Sequence, residues 1–363
     1  MPIFAFTGSL TRPAPNYREA HGRGITSLRF GEASGRLSSI TERGDVDDAS
    51  WLTIDKARRR LYAICEVDGT DQSWVIAFSI GPDGELSELN RQPTGGQTAC
   101  HASLSPNGRL LLVANYNAVV PAGAPDGSVA VFPLTETGLG ERTGFARHEG
   151  SGPNASRQER AHAHCIIPSR DGRFAYVADL GLDRIVVYAL GSDGALTPRP
   201  ERGFSVPPGT GPRHLAFDAT GRRLFAVSEL IATVFSFALD SASGVLEQQD
   251  AFAIPQLGEP IVQPAGLLLT GDGRFLFAEL RECNEIIGLA VDPASGKLRQ
   301  TGRWPSGGAT PRDFAFSPDG RYLLVANQDG DRLTVFPISE GVLTGPSQNL
   351  AIGTPMAIAL AEF

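Results

Sequence analysis

The stretch QERAHAHCIIP, beginning at Gln158, holds two of the chain's six histidines, His162 and His164, just before an apolar run. An imidazole titrates near neutral pH and can pass protons in either direction. Other chemically capable groups follow in comparable settings: Arg213 in GPRH, Glu229 in SEL, Arg281 in ELREC and Arg312 in TPRD. Arg157 precedes the histidines in the same loop, and Gln328 follows the run LLVAN. Imidazole, carboxylate and guanidinium together suit ester hydrolysis. One group takes a proton from water, and cationic donors hold the developing oxyanion or a substrate carboxylate. No G-x-S-x-G stretch is present, so an acyl-enzyme route is not expected.

These residues lie at repeated places in repeated elements. HASLSPNGRLLLVANY from His101 is followed by similar stretches from Cys165, His214, Gly266 and Asp313, with a worn copy from Leu52. The intervals are 49, 64, 49, 52 and 47 residues. A period near 50 with several strands per unit predicts an all-β fold, a β-propeller. Each copy reads as a short strand, a DG-type hairpin turn, a strand rich in Leu, Val, Phe and Tyr, a third strand such as RIVVYAL, and a weaker fourth. Four antiparallel strands make one blade.

Six copies are complete, and the termini supply a seventh blade. TPMAIALAEF resembles a first strand, whereas IFAFTGSL, GITSLRF and GRLSSITER resemble strands two to four. The expectation is a single domain over 1–363, a seven-bladed propeller closed by N- and C-terminal strands in one blade. Closure removes open sheet edges.

The repeat then serves as a coordinate system. Eight residues before each turn glycine lie Cys100, His164, Arg213, Ala265 and Arg312, with Trp51 and Met356 assigned there in the degenerate copies. Seven before it lie His101, Cys165, His214, Gly266 and Asp313. Eight after it lie Tyr116, Leu180, Glu229, Arg281 and Gln328. Equivalent positions that differ from blade to blade are what an asymmetric site grafted on a symmetric scaffold produces. His101 and His214 fall one residue out of phase with His164, which places them on the opposite strand face as packing groups. With the imidazoles divided in this way no metal site is expected, and no cofactor is expected either. Cys100 falls in the inner ring, and Cys165 is expected in the core.

Bulk properties narrow the classes. At 41% hydrophobic, the chain can bury a large core. Its 42 glycines and 26 prolines are spread as turn punctuation. A net charge of −8 argues against nucleic acid or an anionic membrane as partner, and no obligatory protein partner is evident. MPIFAFTGSL lacks a basic start, no apolar run is long enough to span a membrane, and the four cysteines form no C-x-x-C pair, so a cytoplasmic protein is expected.

HEGSGPNASRQERAHAH, GTGPRHLAFDATGRRLFAVSEL and TPRDFAFSPDGRYLLVANQDGDRLTVF closely resemble the lactonase family of seven-bladed propellers, and the similarity runs along nearly the whole chain. That family includes a bacterial 6-phosphogluconolactonase and a fungal carboxy-cis,cis-muconate cyclase. The resemblance implies a catalytic set at the channel mouth of one His, two Arg and a Glu. These map onto His164, Arg213, Arg281 and Glu229. Substrate would also meet His162, Arg157, Arg312 and Gln328. Ser228 stands where Asn is usual, and AELREC departs from the usual stretch around Arg281.

The implied activity is hydrolysis of a carboxylated sugar lactone, with Glu229 or His164 as base. The alternative within the family is a lactonising cyclase, in which His164 serves as acid. A WD-type scaffold lacks support, because the W-D and G-H signatures are missing. A quinone- or metal-dependent oxidoreductase propeller lacks support as well.

Overall fold

The computed structural model describes residues 1–13, 19–66, 73–117, 127–256, 258 and 262–363. Seven small antiparallel sheets form the molecule, each of four or five strands. We number the blades in chain order: 49–93, 97–146, 163–205, 212–253, 264–305 and 311–351 are blades 1 to 6. Blade 7 joins the termini. Its innermost strand Pro355–Glu362 pairs with Ile3–Ser9, which pairs with Ile25–Gly31 and then Arg36–Arg43. The termini thus close the ring as the repeat pattern predicts.

The second strand of each blade is covered on both faces. Arg60–Cys65 and Phe174–Asp179 are buried at every residue, which explains their continuous rather than alternating apolar sequence. The outer strands are less covered and can alternate, as in Leu86–Pro93. In blades 2, 3 and 6 the fourth strand is split into two short pieces.

Seven apolar clusters fill the seven gaps between blades. Phe4, Phe6, Leu61 and Ile76 join blade 7 to blade 1, and Leu28, Ile358, Leu324 and Val335 join blade 6 to blade 7. Between blades 3 and 4, Cys165 packs with Tyr176, Leu215 and Leu224. Cys165 therefore belongs to the core. The closed ring of clusters stabilises each blade on both sides and holds the first strands rigidly around the axis.

Candidate active site

Each first strand breaks its ladder at the channel end. Register shifts fall between Ala49 and Trp51, Ala99 and His101, Ala163 and Cys165, Pro212 and His214, and Pro311 and Asp313. In blade 5 the shift spans Pro264 to Leu267, and in blade 7 Met356 falls at the shift. The unpaired residues are therefore Ser50, Cys100, His164, Arg213, Arg312 and Met356, with Ala265 and Gly266 in blade 5. A bulge adds one residue and re-aims the side chains around it.

This corrects two expectations. First, the inner-ring residue of blade 1 is Ser50 and not Trp51. The worn turn reaches positive φ at Arg59, but the sheet register pairs Ile54 with Leu61 as Leu104 pairs with Leu111, so counting from Arg59 runs one residue late. Second, His101 and His214 are not separated from His164 by strand alternation. The His164 and His214 rings lie 5.5 Å apart, and His101 and His214 lie 5.6 Å apart. Trp51 closes on His101 at 4.4 Å and on His214 at 5.3 Å. The bulge cancels the alternation on which the face assignment rested. His101 still packs between blades, with Nε2 3.4 Å from Cys165 Sγ.

Glu229 is the electrostatic centre. It is 2% exposed and closes the second strand of blade 4, with its backbone N–H donated to Gly211 O. Arg213 Nε donates to Glu229 Oε2 at 2.9 Å, and Arg281 lies 3.2 Å from Oε1, which also accepts from Arg157. Burial alone would push the Glu229 carboxyl up. The guanidiniums of Arg281, Arg213 and Arg157 outweigh it and hold the carboxyl well below the usual range.

Arg213 is itself buried, and burial together with Arg312 brings its pKa down to about 10. Its second nitrogen donates to Ala265 O at 2.7 Å, which fixes the guanidinium plane. Arg281 is braced by Gln263 O at 3.2 Å. Burial works against Arg157, yet Glu229 raises it overall.

His164 lines the axis with Arg213. Burial, then Arg213, pushes it well below its ordinary value, so the ring is neutral at neutral pH. Its Nδ1 lies 3.7 Å from Cys100 Sγ. His162 turns elsewhere. It stacks on Tyr116 at 4.3 Å, and its two ring nitrogens meet Tyr116 O at 3.0 Å and Glu159 at 3.3 Å. Its backbone N–H is tied to Asp179 Oδ1, whose other oxygen meets His148. His162 thus positions Tyr116. Tyr116 in turn feels the charge of Arg157, which works against the burial that raises its hydroxyl, and meets His164 edge-on at 5.5 Å. Tyr116 stands in the same ring as Glu229 and Arg281, a place the repeat count had already marked.

Arg312 reaches the axis beside Arg213. Gln328 is buried in the ring, but its amide nitrogen is turned to Asp329 at 2.9 Å and its amide oxygen has no partner among the described residues. Among the described residues, no three or more His, Cys, Asp or Glu side chains are grouped to hold a metal ion.

A cavity of about 20 Å³ lies on the axis beneath this cluster, with Ser50, Glu66, His164, Arg213 and Arg312 among its walls. Larger grooves of about 510 and 640 Å³ lie at the opposite end of the barrel, among the hairpin turns around Asp272 and Asp319 and around Asp218 and Pro293. They share no residue with the Arg–Glu cluster.

The family model described as lactonase, 7-bladed beta-propeller, matches residues 5–360. The chain belongs to this lactonase family. Similar proteins named 6-phosphogluconolactonase occur in Formosa agariphila, 29% identical over 95% of this chain and 94% of that one, and in Bacillus subtilis, 31% identical over 88% of each. The solved periplasmic gluconolactonase of Pseudomonas aeruginosa superposes with a TM-score of 0.88 at 31% identity, covering 100% of this chain and 99% of that one. In this lactonase-family chain, the bulges of blades 3, 4 and 6 and the second-strand exits of blades 4 and 5 bring the chemically capable side chains to one end of one channel.

Proposed function

We propose that the chain hydrolyses the lactone of a phosphorylated sugar acid at the channel mouth, by a route that uses no metal. The observation that carries this reading is the wrapping of one buried carboxylate, Glu229, by the three guanidiniums of Arg157, Arg213 and Arg281. Three cations on one anion leave surplus positive charge around a buried carboxylate. A phosphate monoester carries about −1.5 to −2 charge at pH 7, and a lactone carbonyl gains negative charge as water attacks. Both match the surplus. The relatives named 6-phosphogluconolactonase support the same substrate class.

In this reading Arg213 and Arg281 face the lactone end, and fixed donors there stabilise the oxyanion without reorganising. Arg157 and Arg312 suit the anionic tail. Glu229 keeps the guanidiniums in place. Both its oxygens are occupied, so it is a poor base. His164, neutral and aimed at the axis, accepts or donates a hydrogen bond and orients the substrate. As a neutral imidazole it is a weak acid, which disfavours the cyclase reaction, where an acid must protonate carbon.

All four cysteines are free thiols, which supports a reducing, cytoplasmic location as part of the proposal. Recovery of the native protein from the periplasm would contradict that part.

The activity is tested by proton release from δ-gluconolactone and its 6-phosphate, with and without chelator, and by ultraviolet absorbance with a carboxymuconate. The expected result is chelator-insensitive turnover with higher kcat/KM on the phosphorylated lactone. Turnover of the muconate alone would contradict it.

A further inference from the structure

The ring that carries Glu229 carries a second carboxylate three blades away. The backbone bond Glu229 N–H to Gly211 O recurs as Leu180 to His162, Arg281 to Gln263, Gln328 to Thr310 and, in the worn blade 1, Glu66 to Asp48. Glu66 therefore occupies in blade 1 the position that Glu229 occupies in blade 4. It is 8% exposed, and it walls the axial cavity together with Ser50, His164, Arg213 and Arg312.

The hole has the size of one water. A water needs roughly 10–15 Å³ of such space and two to four polar partners, and the cavity offers about 20 Å³ with a carboxylate, a hydroxyl, two imidazoles and two guanidiniums on its walls. Ser50 Oγ is buried against it without a protein partner among the described residues. A buried hydroxyl is expected to find one.

We infer that this hole holds the hydrolytic water and that Glu66 is the general base that activates it. The inference rests on the hydrolase reading above and adds a catalytic residue to it. Glu229 is the weaker candidate, because three guanidiniums cover its two oxygens and hold its carboxyl well below the usual range. His164 is pushed well below neutrality, first by burial and then by Arg213, and so is a weak base. A carboxylate has about four acceptor sites, so Glu66 can hold a neighbour and still bind water.

Glu66 takes a proton from the water, whose oxygen bonds to the lactone carbonyl carbon. The carbonyl electron pair moves to oxygen beside Arg213. The tetrahedral species then collapses, the acyl carbon–ring oxygen bond breaks, and the proton passes from Glu66 to the departing ring oxygen. The product is the open hydroxy acid.

The test is Glu66→Gln and Ser50→Ala, assayed on δ-gluconolactone 6-phosphate. Glu66→Gln is expected to lower kcat by at least ~10²-fold. KM should move by less than about threefold, and the acid limb of the kcat/KM–pH profile should vanish. Ser50→Ala should lower kcat about tenfold or less, the loss of one hydrogen bond to the water. A high-resolution crystal structure of the wild type should show one ordered water within about 3 Å of Glu66 and Ser50 Oγ. If Glu66→Gln fails to fold, Glu66→Asp replaces it, with a drop of at least about tenfold expected from the withdrawn carboxylate.

An active wild type with Glu66→Gln or Glu66→Asp at full rate, or a dry cavity, overturns the assignment and leaves the hydrolase reading intact. A wild type that opens no lactone overturns both.

Discussion

Glu229, just past the second strand of blade 4, and Glu279, within that of blade 5, are both buried, and the fold drives them in opposite directions. Glu229 meets three guanidiniums and is held ionised. Glu279 has the Gly266 N–H on one oxygen at 3.1 Å and no partner on the other among the described residues. Burial, then the nearby Asp313, pushes it well above the usual range, so it is held as the neutral acid. The two differ by two positions in the strand. Glu229 lies at the exit, where the bulged Arg213 reaches it. Glu279 lies inside the ladder, in space that exists because residue 266 is glycine. A Cβ there would stand 2.6 Å from Glu279 Oε2. Burial fixes neither charge state, and the supply of cations at the bulge decides.

The largest expected contrast comes from removing each carboxylate. Glu229→Gln should lower kcat/KM on a lactone by at least ~10²-fold and destabilise the fold by about 3–5 kcal/mol, because Arg213 is left as a buried unpaired charge. Glu279→Gln exchanges one neutral group for another and should change stability by under about 1 kcal/mol. Chemical denaturation and initial rates measure both. Equal effects would erase the distinction.

Next in size is Gly266→Ala, whose methyl meets the Glu279 carboxyl. Overpacking of this kind costs about 1–3 kcal/mol, seen as a lower Tm. Combining it with Glu279→Ala should recover most of the loss.

The pH dependence separates the two regions further. Glu229 has a depressed folded pKa, so its contribution is present above the usual carboxylate range and is lost only as pH falls toward its folded value. Asp313, which accepts from Ile358 N–H at 2.8 Å, is pushed by burial from 3.8 to about 7. Its folded pKa is raised, so its contribution is complete below pH 3.8 and is lost as pH rises to about 7. Asp313→Asn should therefore gain Tm relative to wild type as pH rises through that window. A constant difference across it would contradict the assignment.

The smallest effect is expected at Tyr116→Phe. It removes the hydroxyl that interacts with Arg157 and should raise KM by about two- to tenfold with little change in Tm.

Much of this was legible in the sequence. The period near 50 and the split character of the termini predict the closed seven-bladed ring, and blade-specific residues at equivalent positions pick out His164, Arg213, Glu229, Arg281 and Arg312. Strand alternation misplaced His214, because a bulge at each channel end undoes period-two reasoning locally. Glu66 went unseen because the worn turn of blade 1, DKARRRL, has no glycine to count from, and the count landed on Trp51 in place of Ser50. Counting from the second strand would have found it. The roles of Glu279 and Gly266 depend on one side chain filling another's space across two paired strands of blade 5, which a single strand's pattern does not encode.

The most direct test of the central claim is a crystal structure with 6-phosphogluconate bound. The open acid is expected on the channel axis, with its carboxylate within about 3 Å of Arg213 or Arg281 and its phosphate toward Arg157 or Arg312. An acid bound only in the grooves around Asp272 and Asp218, with the Arg–Glu cluster untouched, would contradict it.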